Sequence, residues 1–111
     1  MTLEILNWRT QIRKGYLELC ILILVEKHTR LYGFELIELM DKNNLPVKEG
    51  TLYPLLNRMT IDGVLSSFWE TENLKGHPRK FDSLTKNGKI VLESMKDEFS
   101  RMISIYSSLE N

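Results

Sequence analysis

The stretch from Lys48 to Met59 constrains the fold more than any other part of this sequence. Its apolar residues Leu52, Leu56 and Met59 recur at i, i+4 and i+7. That spacing places them in one stripe of an α-helix, which a domain buries against its core. By itself the pattern is equally typical of an ordinary amphipathic helix in an all-α bundle.

A proline limits where this helix can begin. Pro54 has no backbone N–H, and only the first turn of a helix leaves such groups unused. The regular helix is therefore expected to begin near Gly50 or Thr51. It should end before residues 62–63, an Asp-Gly pair that favours a turn.

The polar side chains of this helix lie away from its apolar stripe. Tyr53, Asn57 and Arg58 offer a phenol, an amide and a guanidinium with no acid among them. These groups suit contacts with DNA bases and phosphates. Residues 34–42 form an earlier amphipathic segment, which ends in turn formers and a proline at 43–46. The order predicts a helix-turn-helix motif whose second helix carries the base-facing side chains.

Two β-forming segments follow, at residues 64–71 and 79–84, with a turn between them. They predict a hairpin. Basic side chains cluster in the turn and at the start of the second strand; they are Lys75, His77, Arg79 and Lys80. After a helix-turn-helix, such a hairpin is typical of a wing whose cations meet phosphates or a minor groove. The alternative is a surface hairpin with ordinary solvating charges.

The chain ends in a long predicted helix. Thr85 is a suitable N-cap, and the helix should run to about Leu109. Its apolar residues alternate in spacings of three and four; they are Leu92, Met95, Phe99, Met102, Tyr106 and Leu109. This heptad seam predicts a homodimer, because much of so long a helix would overhang a single small domain. The alternative is packing of the helix on the core of its own domain.

The same seam predicts a hydrophobic cavity for a small effector at the dimer interface, near Phe99. Aromatic and methionine side chains are available to one shared space there; they are Trp8, Met95, Phe99 and Met102. Flat apolar ligands stack on such walls, and methionine adapts to several ligand shapes. The alternative is a fully packed seam without a cavity.

Composition narrows the class of protein further. The 111 residues suffice for one domain, and their formal net charge is zero, although residues 45–90 carry seven basic and five acidic side chains.

The segment from about Arg9 to Lys27 should be a central helix, whereas residues 1–8 have no clear assignment. Its apolar run at 19–25 is too short to span a bilayer and contains the single cysteine, Cys20, expected to be a buried structural thiol.

The sequence contains no recognisable enzyme motif. His28 and His77 lack the neighbouring ligands that a metal site needs, so neither a metal nor a cofactor is expected. The apolar run near the N-terminus is not followed by a small-residue cleavage site. The protein is therefore expected to be a cytoplasmic, non-enzymatic domain without a membrane partner.

In order and spacing, these segments resemble the PadR family of bacterial winged-helix transcriptional regulators. The similarity runs from about Lys14 to Met95. It depends on the blocks KGYLE at 14–18, YGFEL at 32–36, EGTLYPLL at 49–56, DGVL at 62–65, GHPRKF at 76–81 and LTKNG at 84–88. The single long C-terminal helix resembles the compact subgroup of that family.

The resemblance implies a mainly α fold with a small β-hairpin. Residues 1–84 would form a winged helix-turn-helix DNA-binding domain, and residues 85–111 a dimerisation helix. It also implies a homodimer that represses transcription from a pseudo-palindromic operator in double-stranded DNA and is released by a small hydrophobic or aromatic effector. The family's DNA-facing positions correspond here to Thr51, Tyr53, Asn57, Arg58, Arg79 and Lys80.

Two residues depart from the family pattern. Lys48 stands where a serine cap is usual; a lysine cannot cap a helix N-terminus and is expected to reach a phosphate instead. Asp82 stands where an aromatic residue is usual, and an acid there lowers the local positive potential. With the neutral total charge, this leaves a second hypothesis open: a winged-helix dimer that binds proteins or ligands without binding DNA.

Overall fold

The computed structural model describes residues 2–72 and 76–111. The helices are α1 (Leu3–His28), α2 (Gly33–Lys42), α3 (Glu49–Ile61) and α4 (Lys86–Glu110), and the strands are β1 (Leu31–Tyr32), β2 (Leu65–Glu70) and β3 (Arg79–Leu84). The strands form one antiparallel sheet in the order β1-β3-β2. The predicted architecture, mainly helical with a small β-hairpin, is confirmed, and a short third strand is added to it.

Helix α1 begins at Leu3, whereas the sequence predicted a start near Arg9. Thr2 explains the earlier start, because its side-chain oxygen accepts a hydrogen bond from the backbone N–H of Ile5 at 3.3 Å. This N-cap satisfies one of the first unpaired donors of the helix. The negative charge of Glu4 in the first turn also interacts favourably with the positive end of the helix dipole.

The third strand, β1, corrects the prediction that residues 28–31 are only a connector. Leu31 pairs with Asp82 of β3, and Tyr32 pairs with Phe81. The side chain of Leu31 is buried in the core, which holds this short segment against the sheet. Two residues are too few for a period-two pattern to be visible in a sequence.

A single hydrophobic core joins all four helices and the sheet. Its buried members are Leu17, Leu19, Ile21, Leu22 and Val25 of α1, Leu36 and Met40 of α2, Leu52, Leu56 and Met59 of α3, Leu31, Val47, Leu65, and Leu92 of α4. Helix α1 contributes the most buried residues, because its segment from Leu17 to Val25 is apolar nearly all round and is covered on several sides. Cys20 is half-buried rather than buried as expected; burial raises the pKa of its thiol, although a hydrogen bond with Tyr16 opposes that rise.

Helix α4 is anchored at its N-terminus, as the sequence predicted. The hydroxyl oxygen of Thr85 accepts a hydrogen bond from the backbone N–H of Gly88 at 2.8 Å, and its hydroxyl group lies 2.6 Å from the carbonyl oxygen of Gly63. Gly88 is buried against the Val64 carbonyl, where any larger residue would collide with the backbone. These contacts fix the direction in which α4 leaves the winged part.

The far ends of α1 and α4 extend beyond the core. The molecule measures 57 × 34 × 23 Å along its principal axes, so one dimension greatly exceeds the others. Every residue of α4 from Arg101 onward is exposed, as are residues 3–12 of α1. Half of each long helix is therefore uncovered within one chain.

Candidate nucleic-acid interface and dimer face

Helix α3 separates an inner face from an outer face as the sequence predicted. Its apolar stripe of Leu52, Leu56 and Met59 is buried in the core. The outer side chains are exposed; they are Thr51, Tyr53, Asn57 and Arg58. From Gly50 to Ile61 the helix contains no acidic residue, so its outer face is polar, with Arg58 as its one basic side chain.

The start of α3 lies slightly earlier than predicted. The helix begins at Glu49 with Lys48 as its N-cap residue, and Lys48 makes no side-chain cap, as expected for a lysine. Pro54 is consequently the sixth helical residue and lies inside the helix rather than in its first turn. The N–H that Pro54 lacks would have donated a hydrogen bond to the carbonyl of Gly50, four residues earlier. The space around Gly50 is open.

Two of the outer side chains contact other helices of the same chain. The ring of Tyr53 lies over Gly33 at the start of α2, where an added Cβ would come within 2.7 Å of the phenol oxygen. The guanidinium of Arg58 donates to the carboxylate of Glu18 on α1, forming an ion pair. Both side chains remain about half exposed while these contacts hold them in place.

The register of the sheet separates the two basic residues at the start of β3. Arg79 pairs with Glu70 and Lys80 pairs with Trp69. Successive side chains of a strand point to opposite faces, so Arg79 and Lys80 cannot face the same phosphate row directly. The guanidinium of Arg79 lies 5.1 Å from the centre of the Tyr32 ring, on the face opposite Lys80.

The tip of the hairpin is described only in part. His77 is exposed just before β3, at the position where the sequence placed a wing cation. Lys75, also predicted to contact DNA, lies outside the described residues. Lys80 is half-buried beside the exposed ring of Trp69, on the sheet face that also carries the buried Leu65.

The other sheet face carries a stack of aromatic rings and arginine that the sequence did not predict. Phe68 and Phe81 stack with ring centres 5.6 Å apart, and Tyr32 meets Phe81 edge-on at 5.3 Å. The guanidinium of Arg30 lies 4.2 Å from the Phe81 ring centre and 3.7 Å from the Glu70 carboxylate. Cation–π and ring contacts of this kind stiffen the hairpin at its base.

Asp82, the acid that departs from the family pattern, is not on the wing surface. It is only 1% exposed and accepts a hydrogen bond from the Ser67 hydroxyl at 2.5 Å. Burial raises the pKa of its carboxyl, although the Ser67 hydrogen bond and the charge of Lys80 oppose that rise. Its position among buried groups reduces the effect expected on the surface potential.

The predicted dimer seam of α4 divides into a covered half and an exposed half. Leu92 is fully buried in the core of its own chain, so the prediction that it faces a second chain needs correction. Met95 and Phe99 are half-buried and pack against that core, with Phe99 stacked on Tyr16 of α1 at 5.9 Å. The seam residues left exposed are Met102, Tyr106 and Leu109.

The residues of the predicted effector cavity do not enclose a cavity within one chain. Trp8 is 58% exposed on α1 and makes no ring contact with Phe99 in the described structure. Two clefts, of about 560 and 310 Å³, lie elsewhere, and neither is lined by Trp8, Met95, Phe99 or Met102. Such a cavity would need a second chain to close it.

The described residues contain neither a candidate metal site nor a candidate membrane-spanning helix. Residues 2–72 and 76–111 contain no group of three or more His, Cys, Asp or Glu arranged to hold a metal ion. Over the same ranges, no helix is both long enough and apolar enough to cross a membrane.

Comparison with known proteins identifies the family. The model of the transcriptional regulator PadR-like family matches residues 21–94, which is most of the chain. This chain belongs to the PadR-like family. It is accordingly a DNA-binding transcriptional regulator and not an enzyme. A search of curated proteins returned no match.

Solved structures of the PadR family have the same fold. A PadR-like transcription factor from Bacteroides fragilis is 36% identical, with a TM-score of 0.80 over 93% of this chain and 98% of that one. A PadR-family regulator from Eggerthella lenta is 25% identical, with a TM-score of 0.84 over 96% and 92%. A PadR-like regulator from Bacillus cereus is 30% identical, with a TM-score of 0.76 over 91% and 97%.

Proposed function

We propose that this PadR-family protein is a homodimeric, sequence-specific repressor that binds a pseudo-palindromic operator and is released by a small hydrophobic or aromatic effector. The observation that carries the proposal is the outer face of α3, which is exposed, polar and free of acids from Gly50 onward. A helix with such a face suits the major groove of DNA.

Dimerisation is supported by the uncovered halves of α1 and α4. Large apolar side chains are exposed on both; they are Leu3, Ile5, Leu6, Trp8 and Ile12 of α1, and Met102, Ile103, Ile105, Tyr106 and Leu109 of α4. Soluble monomers rarely expose apolar surface in continuous stretches of this kind. In this proposal residues 85–111 form the dimerisation helix, the first turns of α1 extend the interface, and the rest of residues 1–84 binds DNA.

A dimer places two copies of α3 on one side of the assembly. For two helix-turn-helix units to enter successive major grooves, their recognition helices must lie roughly 34–36 Å apart. The operator should therefore contain two half-sites about one helical turn apart. Asn57 and Tyr53 are the candidates for contacts at or near bases, whereas Lys48, Thr51, Arg58, His77, Arg79 and Lys80 are candidates for the DNA backbone.

The test compares two substitutions that should fail in different ways. Asn57→Ala should weaken binding to the operator by about 1–3 kcal/mol and leave binding to scrambled DNA nearly unchanged. Lys80→Ala should weaken both kinds of DNA alike and reduce the slope of log K against log salt by about one unit. Binding isotherms on both duplexes at several salt concentrations measure this, with the DNA upstream of the protein's own gene as the first operator candidate.

The result also decides between the two hypotheses left open by the sequence. If Asn57→Ala weakens operator and scrambled DNA equally, α3 does not read the operator sequence. If neither substitution changes binding to either duplex, α3 and the hairpin are not the DNA-binding surface, and the hypothesis of a winged-helix dimer that binds proteins or ligands without DNA moves to first place.

The effector is proposed to bind between the two chains, near Phe99. Trp8, Met95 and Met102 supply the remaining walls, since Trp8 and Met102 are exposed in one chain and would become enclosed in a dimer. A titration with planar aromatic compounds, followed by tryptophan fluorescence and by release from DNA, tests the site. Trp69→Phe removes the signal of the hairpin tryptophan, and no response over a broad panel of compounds would favour a fully packed interface.

A further inference from the structure

A cleft of about 560 Å³ lies between the N-terminal half of α1 and the beginning of α3. Its lining residues are Thr10, Arg13, Lys14 and Leu17 on one side and Pro46, Val47, Lys48 and Thr51 on the other. Leu17 and Val47 are buried, whereas Lys14, Lys48 and Thr51 are exposed. The cleft thus opens beside the exposed end of α3 that is proposed to enter DNA.

The cleft contains three cations and no acid. Arg13, Lys14 and Lys48 line it together, and no carboxylate is among the lining residues. Over the described ranges, none of the three forms an ion pair, whereas Arg58 pairs with Glu18. Glu18 lies one helical turn after Lys14, but its carboxylate pairs with Arg58. It therefore does not neutralise the cations of the cleft. Three unpaired like charges in one cleft favour an anionic partner.

The position of one of these cations is fixed by the fold. The guanidinium of Arg13 donates a hydrogen bond to the carbonyl oxygen of Pro46, which ties α1 to the turn before α3. Its Nε atom is buried and has no hydrogen-bond partner in the described structure. The positive charge is therefore held at the cleft rather than free to move into solvent.

We propose that this cleft binds a backbone phosphate of DNA, so that α1 adds Arg13 and Lys14 to the DNA-binding surface alongside Lys48. This rests on the proposed function, since Lys48 and Thr51, which line the cleft, also form the N-terminal end of α3, the helix proposed to enter DNA. Phosphate contacts add affinity that does not depend on sequence, and they fix the orientation of a protein on the duplex. The three cations of the cleft also give a chain with zero net charge a local region of positive potential.

The central experiment uses Lys14→Gln, with Lys27→Gln as the matched control. Both lysines are exposed on α1 and both changes remove one charge, but Lys27 lies in the last turn, far from the cleft. Anisotropy titrations with a labelled duplex of scrambled sequence are run at several salt concentrations. Lys14→Gln should weaken binding and reduce the salt slope by about 0.9, the value for one phosphate contact, whereas Lys27→Gln should match the wild-type protein.

A double variant tests whether Lys14 and Lys48 hold the same phosphate. The loss of affinity in Lys14→Gln/Lys48→Gln should be smaller than the sum of the two single losses, because the second change removes a contact already weakened. Fully additive losses would overturn a shared phosphate in this cleft. Circular dichroism melts of all variants establish that each is folded, and Arg13 is left intact because it also holds the turn.

Other outcomes separate this contact from the proposed function as a whole. If Lys14→Gln binds like the control while Lys80→Ala still loses affinity, the protein binds DNA but not through this cleft. If the wild-type protein binds no duplex at any salt concentration, the proposed function fails and this contact fails with it. If sodium benzoate raises the melting temperature of the wild-type protein but not of Lys14→Gln, with DNA affinity unchanged, the cleft is a site for small anions and the proposal is overturned.

Discussion

The carboxyl group of Asp82 lies within the fold, under the sheet, where the Ser67 hydroxyl donates a hydrogen bond to it at 2.5 Å. The charge of Lys80, two residues earlier in β3 and on the same sheet face, also lowers its pKa. Desolvation still dominates, so the pKa of Asp82 is raised above its ordinary value of 3.8. A single buried acid of this kind makes stability depend on pH.

Because the pKa of Asp82 is higher in the folded than in the unfolded protein, its contribution favours folding at low pH. The contribution is complete below pH 3.8 and is lost as the pH rises through the folded-state pKa. Asp82→Asn keeps the acceptor for Ser67 but cannot ionise. We expect it to raise the free energy of unfolding at neutral pH by about 1.4 kcal/mol for each unit of the pKa shift.

Urea denaturation of both proteins across the acidic range measures this effect. The gain from Asp82→Asn should shrink as the pH falls toward 3.8. A variant that is less stable than the wild-type protein at neutral pH would contradict the assignment. It would mean that the ionised carboxylate makes favourable interactions that outweigh its desolvation.

At the scale of elements, α3 meets α2 where the ring of Tyr53 lies against a glycine. Gly33, the first residue of α2, is buried, and an added Cβ would lie 2.5 Å from the nearest ring atom of Tyr53. With an alanine at this position, the ring of Tyr53 would have to move away from α2. The contact also orients Tyr53, a proposed DNA-contacting residue.

Gly33→Ala is therefore expected to destabilise the protein by about 1–3 kcal/mol through overpacking. Gly15→Ala is the matched control, because Gly15 lies inside α1 with no atom within 4 Å of an added Cβ. That change should stabilise the protein by up to about 1 kcal/mol, since alanine has the higher helix propensity. Thermal and urea denaturation of both variants give the comparison.

A second substitution identifies the cause. In Gly33→Ala/Tyr53→Ala the added methyl group meets no ring, so most of the lost stability should return. If Gly33→Ala is as stable as the wild-type protein, the ring of Tyr53 moves without cost and does not fix the spacing of α2 and α3.

At the scale of the whole molecule, the proposed dimer depends on the uncovered halves of α1 and α4. Met102, Tyr106 and Leu109 form the exposed part of the α4 seam, whereas Met95 and Phe99 already pack against the chain's own core. A charge at Met95 would damage the folded monomer as well as an interface. The exposed residues therefore give the cleaner test of dimerisation.

Met102→Asp combined with Leu109→Asp should convert a dimer into a folded monomer, because each carboxylate would be buried without a partner at the interface. Such burial costs several kcal/mol. Light scattering measures the mass, and circular dichroism confirms that helix content is kept. Ser104→Asp is the control, since two residues of helix turn its side chain about 200° away from Met102. A double variant that remains dimeric would place the interface elsewhere.

Much of the architecture follows from local sequence. The apolar stripe of α3, the strand at 79–84 and the Thr85 cap were all visible, because helix periodicity, β-forming composition and capping chemistry are encoded in neighbouring residues. The exposed face of α3 followed from the same stripe. Family membership was likewise indicated by the order of short blocks along the chain.

Contacts between distant segments were decided only by the tertiary structure. The ion pair between Glu18 and Arg58, the ring of Tyr53 over Gly33 and the hydrogen bond from Arg13 to Pro46 join residues 20 to 40 positions apart. No periodicity relates such residues, so a sequence cannot indicate which of its many charges or glycines will meet. The burial of Leu92 has the same origin: a heptad seam specifies which residues share a helix face, but only the packing of α4 on α1 decides how much of that face one chain covers.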